Sequence, residues 1–252
     1  MKIIKISHLL LVLVFWNVLY IAPSCTAQSS LDYSPYLDTR TTVEGQILQS
    51  EQFPKGTISF DPSIEYIGGE TFILYKVARC EIHLFAELNG KGGYKRIYWV
   101  QYESYLPKEL MPASIKESGE TPQYDYSKDP YRIEMGGRRF YVSNNYHPIE
   151  KTMEELNAEN GPEDSDFTHV ARLLAHNGVN INGEVLSVRM VHLNRSQQQE
   201  LMIIYFENMD GQELSVAKLD ETGKESSFWE EVSRELRTRA SQAMHFTFQE
   251  EN

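Results

Sequence analysis

Six polar and aromatic residues in two segments of the chain have side chains that could do chemistry or bind a ligand. They are Arg79, Glu81, His83, Trp99, Gln101 and Glu103. A histidine flanked by carboxylates has a stabilised charged form and can transfer protons near neutral pH. A neighbouring tryptophan could stack on a flat ligand such as a sugar ring. The group therefore predicts a ligand-binding surface or an acid–base site.

Two functions are compatible with these residues. The first is a non-enzymatic binding or accessory domain, which holds a small molecule or a protein with this surface and with the tyrosine-rich loop at residues 107–131. The alternative is a hydrolase-like enzyme that uses His83 with Glu81 or Glu103 as acid and base. A purely structural explanation competes with both, because cross-strand ion pairs also gather charged and aromatic side chains on one sheet face. The deciding observation is whether the six residues line a concave pocket.

A predicted β-hairpin brings the six residues together. Residues 79–88 and 94–105 alternate between two kinds of side chain, and the glycine-rich residues 89–93 form the turn. With the turn centred near Lys91, the predicted cross-strand pairs are Ile82–Val100 and Leu84–Tyr98 on the buried face, and Arg79–Glu103, Glu81–Gln101 and His83–Trp99 on the other. Because successive side chains point to opposite faces, a slip of one residue would reverse this sorting.

The other histidines and acids do not have the spacing of a metal or catalytic motif. His169 and His176 are seven residues apart, which places them two helical turns, roughly 10 Å, from each other. The acids at residues 125–129 and 163–166 lack the order of a calcium-binding loop. The chain also lacks the nucleophile-elbow, phosphate-loop and dinucleotide-binding patterns. We therefore expect no metal site, no cofactor and no catalytic residue from a known motif.

The first 27 residues have the three parts of a secretory signal peptide. Lys2 and Lys5 supply positive charge, and the apolar stretch Leu9–Ala22 follows. This stretch is shorter than the roughly 20 residues that a membrane-spanning helix needs. Ala27 fits a cleavage site before Gln28. We therefore expect a bacterial protein that is periplasmic or extracellular, with no membrane span in the mature chain.

Cys25 leaves a second form of export open. The residues at 22–25 loosely resemble a lipobox, in which the cysteine is acylated and anchors the protein to a membrane. Lipidation would change the location of the protein but not its fold. In both cases Cys80 has no cysteine partner for an internal disulfide. Its place among the apolar positions of its strand predicts a buried, unreactive thiol.

The mature chain is strongly acidic. The net charge of the whole sequence is −12, and removal of Lys2 and Lys5 with the signal peptide makes it −14. Such a surface repels the phosphate backbone of nucleic acids and anionic lipid headgroups. The expected partner is therefore an unidentified small molecule or protein, and not a nucleic acid.

The order of predicted elements is strands, two helices, strands and a helix, which is typical of an α+β protein. Residues 28–45 are predicted to be a flexible polar segment, and residues 46–252 a single domain. Besides the central hairpin we predict a hairpin at 131–142, a helix from Pro148, a helix at 165–177, strands at 186–192, 202–206 and 214–219, and a helix at 227–243 that begins with a capping box at Ser227. Together they predict a mainly antiparallel sheet packed by two or three helices.

Overall fold

The computed structural model describes residues 31–90, 92–118, 125–149 and 165–250. In these residues the strands are β1 (Thr41–Glu44), β2 (Ile47–Ser50), β3 (Gly56–Phe60), β4 (Glu65–Leu74), β5 (Ala78–Leu88), β6 (Tyr94–Tyr105), β7 (Tyr131–Met135), β8 (Arg138–Pro148), β9 (Glu184–Leu193), β10 (Gln199–Asn208) and β11 (Met244–Phe248). The helices are α1 (Ala113–Ser118), α2 (Asp166–His176), α3 (Val216–Thr222) and α4 (Ser227–Gln242). The strands pair antiparallel, so the predicted α+β class is confirmed.

The central strands are covered on both faces. A seven-stranded sheet has the order β4-β5-β6-β10-β9-β8-β7, and a four-stranded sheet has the order β1-β2-β3-β11. We call the face of the large sheet that packs against the small sheet and α4 the inner face, and the face that packs against α2 the helix face. The inner face carries Phe85, Tyr98 and Val100, and the helix face carries Ile82, Leu84 and Trp99. Because neither face meets solvent here, residues 78–86 of β5 are all buried.

The register of the central hairpin differs from the prediction by one residue. Next to the turn, Leu88 pairs with Tyr94, which is the register of a turn centred on Lys91. The register then shifts, and Glu87 pairs with Arg96. Lys95 is the extra residue of this bulge, and its ammonium and the Arg96 guanidinium donate to the Glu87 carboxylate at 2.9 and 2.8 Å. A bulge adds one residue to one strand, so it displaces every pair beyond it.

This shift separates the six candidate site residues. Cys80 lies opposite Glu103, Ile82 opposite Gln101, and Leu84 opposite Trp99. Arg79, Glu81 and His83 therefore lie on the inner face, whereas Trp99, Gln101 and Glu103 lie on the helix face. The prediction of one shared surface is wrong. His83 and Glu103 are on opposite sides of the sheet and cannot act together on one substrate.

Several predicted elements are confirmed. The hairpin of β7 and β8, the strand pair β9 and β10, and the helix α2 all lie where the sequence predicts them. Ser165 caps α2, since its hydroxyl accepts from the Thr168 backbone N–H at 3.2 Å. Gly178 follows the helix with a φ of 72°, the left-handed conformation that suits glycine at a helix end.

Three features after residue 210 differ from the predictions. Residues 214–219 are predicted as a strand, but α3 forms there because the Ser215 hydroxyl accepts from the Lys218 backbone N–H at 3.2 Å and caps it. The cap of α4 is Ser226 and not Ser227: the Ser226 hydroxyl accepts from the Trp229 backbone N–H at 3.1 Å. The strand β11, which the sequence analysis does not predict, follows α4 and pairs with β3.

The predicted flexible segment at residues 28–45 contains β1. Val43 and Leu48 pair across β1 and β2 and pack against the inner-face core, which explains why these residues are ordered into the small sheet. The predicted signal peptide at residues 1–27, including Cys25, lies outside the described residues, as do residues 150–164 of the helix predicted from Pro148. In the part of the chain that is described, no helix is long and apolar enough to cross a membrane.

Candidate functional site

The inner-face residues Arg79, Glu81 and His83 form a buried network beneath the chain that leads into β1. The Arg79 guanidinium donates to the backbone carbonyls of Tyr36 and Asp38 at 2.8 and 2.5 Å, and to the Glu81 carboxylate at 2.7 Å. All three network side chains are at most about 5% exposed. The network therefore fastens residues 36–41 to the sheet.

Glu81 is the centre of this network. Its carboxylate accepts from the Arg40 backbone N–H at 3.2 and 3.1 Å, from the Thr41 hydroxyl at 2.5 Å and from the Gln52 amide at 2.9 Å. Burial alone would raise the pKa of Glu81, but hydrogen bonds from His83, Thr41, Arg79 and Arg40 outweigh it and lower this pKa to about 2. Glu81 is therefore a permanent buried anion and a poor proton acceptor.

His83 has both ring nitrogens in contact with hydroxyls. Its Nε2 lies 2.7 Å from the Thr41 hydroxyl, and its Nδ1 lies 3.2 Å from the Tyr66 hydroxyl. Since Thr41 gives its single proton to Glu81, the Thr41 oxygen accepts from His83 Nε2. This arrangement holds Thr41, the first residue of β1, against β5. His83 and Glu81 are buried at this position, so a substrate of the hypothesised hydrolase could not reach them.

The helix-face residues form a hydrogen-bonded row that ends at a cavity. Trp99 Nε1 donates to Gln101 Oε1 at 3.1 Å, and Gln101 Nε2 donates to Glu103 Oε2 at 3.2 Å. The Cys80 thiol also lies 3.6 Å from Glu103 Oε2. Trp99 and Gln101 are buried at 3% and 0% exposure, so only Glu103 at the end of the row reaches the cavity.

We call this cavity the acidic pocket. Its volume is about 200 Å³, and its charged and aromatic wall consists of Glu103, Tyr105, Tyr126, Asp166, Arg189 and Glu200. Glu103 on β6 and Glu200 on β10 are direct cross-strand partners. Side chains in such positions have Cβ atoms about 5 Å apart, and like charges there are destabilising. The pocket therefore places two carboxyl groups side by side at a cost to stability.

Tyrosine and arginine side chains orient this carboxyl pair. The Tyr126 hydroxyl donates to Glu200 Oε2 at 2.6 Å. The Arg189 guanidinium donates to the Tyr126 hydroxyl at 3.3 Å and lies 5.2 Å from the centre of the Tyr126 ring. Asp166 comes from α2, where its carboxylate accepts from the Phe167 backbone N–H at 2.8 Å. Two strands and a helix thus hold the three acids in place.

The electrostatics of the acidic pocket keep a proton on the carboxyl pair. Burial, and then the charge of Glu200, raise the pKa of Glu103 to about 8. Burial also raises the pKa of Glu200 and that of Asp166. Among the described lining residues, three carboxyl groups face one guanidinium, so at most one of their charges is compensated by these residues. A group with such a perturbed pKa in a cavity is a candidate functional residue.

Some residues of this pocket are predictable from the sequence. Glu103 is one of the six predicted site residues, and Tyr126 belongs to the tyrosine-rich loop. Asp166 is visible in the sequence as an acid at a helix start. Arg189 and Glu200 are missed, because each lies in a strand where alternation alone gives no reason to choose it. Both residues become candidates only when the pairing of β10 with β6 and β9 is known.

The contacts of His169, His192 and Cys80 are those of structural residues. The His169 ring stacks on Phe72 with a centroid distance of 3.6 Å, and its Nδ1 lies 3.0 Å from the Glu70 carboxylate. His192 is buried and its Nδ1 lies 3.0 Å from the Arg139 carbonyl. Cys80 is fully buried, and burial followed by the charge of Glu103 raises the pKa of its thiol. Among the described residues, no group of three His, Cys, Asp or Glu side chains is arranged to hold a metal ion.

Comparison with known proteins identified no relative of this chain. The chain matches no protein-family model, and no curated protein and no solved structure is significantly similar to it. The function therefore has to be argued from the acidic pocket itself.

Proposed function

We propose that this protein is an exported, non-enzymatic binding domain whose acidic pocket takes a small polar molecule. The observation that carries the proposal is the carboxyl pair. Glu103 Oε2 accepts from Gln101 and Cys80, and Glu200 Oε2 accepts from Tyr126. From the part of the chain that the structure describes, neither Glu103 Oε1 nor Glu200 Oε1 receives a hydrogen bond. A bound molecule can therefore form hydrogen bonds with these two oxygens.

The energetic cost of the pair supports a functional role. Placing two acids opposite each other destabilises a sheet, and burial disfavours the ionised form of both, which raises the pKa of each. An apolar pair at these positions would be more stable. Retaining both acids at the wall of a cavity is therefore explained by what they bind.

The size of the pocket supports a small ligand. Its volume is about 200 Å³, which is roughly seven times the volume of one water molecule in the liquid. Pockets for drug-sized ligands are larger, at about 300 to 1,000 Å³. The acidic pocket therefore fits one small polar metabolite and not an oligosaccharide.

Export is the second part of the proposal. It is supported by the positively charged Lys2 and Lys5 near the N-terminus, by the short apolar stretch after them and by the small residue Ala27 before Gln28. Cleavage after Ala27 would release the protein into the periplasm or the medium, whereas acylation of Cys25 would tether it to a membrane. Mass spectrometry of the N-terminus of the exported protein distinguishes the two, and an uncleaved chain in the cytoplasm would contradict both.

A thermal-shift screen tests the binding function. The purified protein is heated with small neutral sugars, amines and organic anions, one class at a time. We expect one class to raise the melting temperature of the wild type, because a ligand that binds only the folded state stabilises it. Glu200→Gln should remove the shift. Glu87→Gln, which alters a carboxylate paired with Lys95 and Arg96 outside the pocket, should keep it. Equal shifts in wild type and Glu200→Gln, or no shift with any class, would contradict binding in the acidic pocket.

A hydrolase is the second candidate, and the same carboxyl pair favours it. Glu103 keeps a proton near neutral pH, as a general acid requires, while Glu200 lies directly opposite as a possible base. This assignment replaces the earlier one through His83. Hydrolysis of small nitrophenyl esters and glycosides that depends on both Glu103 and Glu200 would favour the enzyme. Binding without turnover favours the first proposal.

A further inference from the structure

The charge balance of the acidic pocket identifies the class of its ligand. Among the described lining residues, three carboxyl groups (Glu103, Asp166 and Glu200) face one cation, Arg189. Arg189 is already engaged, because its guanidinium donates to the Tyr126 hydroxyl and to the Met202 sulfur at 3.5 Å. Glu103 keeps its proton near neutral pH, so these lining residues carry an excess of one negative charge when Glu200 and Asp166 are ionised.

The hydrogen-bonding capacity of the wall is also one-sided. A carboxylate accepts hydrogen bonds and donates none. Glu103 Oε1 and Glu200 Oε1 receive no donor from the described residues. The pair keeps one proton near neutral pH, so the ionised member still needs a donor from the ligand. Two neighbouring carboxyl groups that share one proton are matched by one group that has several donors and a positive charge.

The aromatic wall favours a cation over a neutral hydroxyl compound. The Arg189 guanidinium lies 5.2 Å from the centre of the Tyr126 ring, so this side of the wall already holds one cation against an aromatic face. Tyr105 lines the same pocket. Aromatic rings attract cations through the negative potential of their faces, and this attraction adds to that of the carboxylates.

We propose, on the basis of the binding function above, that the acidic pocket binds a small organic cation whose ammonium or guanidinium group lies between Glu103 and Glu200. The remainder of the ligand contacts the tyrosine side of the wall. The volume of about 200 Å³ limits the ligand to a compact amine, and the acids among the described lining residues disfavour an anionic group on it.

Three matched probes test this assignment by isothermal titration calorimetry. Ethanolamine is an ammonium ion at neutral pH, ethylene glycol is its neutral counterpart, and glycolate is its anionic counterpart. We expect ethanolamine to bind and the other two not to bind. Glu200→Gln should weaken ethanolamine about tenfold, the equivalent of one charge-assisted hydrogen bond, whereas Glu103→Gln, which imitates the protonated acid, should change the affinity much less at neutral pH. Glu87→Gln should leave the affinity unchanged. Tyr126→Phe, which keeps the ring and removes the bond to Glu200, provides a second variant should a glutamine variant not fold.

The outcomes separate this inference from the binding function. Binding of ethylene glycol or a small sugar that depends on Glu200 would overturn the cation assignment and leave the binding function intact. Binding of calcium chloride alone, tighter than ethanolamine and dependent on Glu200, would also overturn it in favour of a metal ion. Absence of binding by every class in the thermal-shift screen would overturn both.

Discussion

Replacing Glu103 with Gln should remove a pH dependence of stability that the acidic pocket creates. Burial and the charge of Glu200 raise the pKa of Glu103 from 4.5 to about 8. Between these values the folded protein holds a proton that the unfolded chain has lost. The stabilisation by this proton is complete below the unfolded value and is lost as the pH rises towards about 8. Glutamine imitates the protonated acid and does not titrate.

The size of the effect follows from one proton. Each pH unit in this window changes the free energy of unfolding by about 1.4 kcal/mol. From about pH 5.5 to pH 7.5 the wild type should therefore lose roughly 3 kcal/mol more than Glu103→Gln. The titrating groups outside the acidic pocket are common to both proteins, so their contributions cancel in the difference.

Urea denaturation at three pH values in this window measures the difference in the free energy of unfolding. The fluorescence of Trp99 and Trp229 reports the unfolding. Glu87→Gln is the matched control. Burial opposes ionisation of Glu87, but Lys95 and Arg96 outweigh it and lower its pKa, so its contribution to stability is lost only as the pH falls below its ordinary value. Parallel pH profiles for wild type and Glu103→Gln would mean that Glu103 does not hold a proton in the folded protein that the unfolded chain has lost.

Three further predictions concern the fold, and urea denaturation at constant pH checks each of them. Arg79→Met leaves the buried Glu81 carboxylate without its cation, and we expect a loss of about 3 to 5 kcal/mol; a loss below about 1 kcal/mol would contradict the role of the network. Gly56→Ala should cost more than about 1 kcal/mol, because its φ is 144° and an added Cβ would lie 2.2 Å from the Thr247 carbonyl oxygen. Gly45→Ala, with a positive φ but open space, is its control and should cost less. Leu236→Ala removes a fully buried side chain of α4 and should cost about 2 to 5 kcal/mol; an unchanged denaturation midpoint would mean that α4 does not contribute to the core.

Local patterns were enough to predict most of the elements. The alternation in β9 and β10, the glycines between β7 and β8, and the serine before α2 each depend on interactions within a few residues of the chain. The exceptions have the same origin. Residues 214–219 are short enough for either a strand or a helix, and the Ser215 cap decides in favour of α3. β1 is a polar segment that becomes a strand only because β2 and the inner-face core are beside it.

A one-residue shift in the register of β5 and β6 determines which residues form the candidate site. The pairing next to the turn is as predicted, but the bulge at Lys95 places His83 and Glu103 on opposite faces. The polar residues of β5 then belong to a structural network, while Glu103 meets Glu200 at the cavity. No alternation pattern distinguishes these two outcomes, because β5 is buried on both faces and its polar residues do not mark a solvent side.

Composition and local sequence patterns were sufficient to predict the acidic character of the chain, the candidate export signal, the α+β class and the importance of the residues around the central hairpin. These follow from composition and from interactions between near neighbours. Only the tertiary structure decided which of those residues share a face, and which residues from β9, β10 and α2 join them. Those contacts link positions as far apart as Glu103 and Glu200, and their free energy depends on packing and register that no local segment contains.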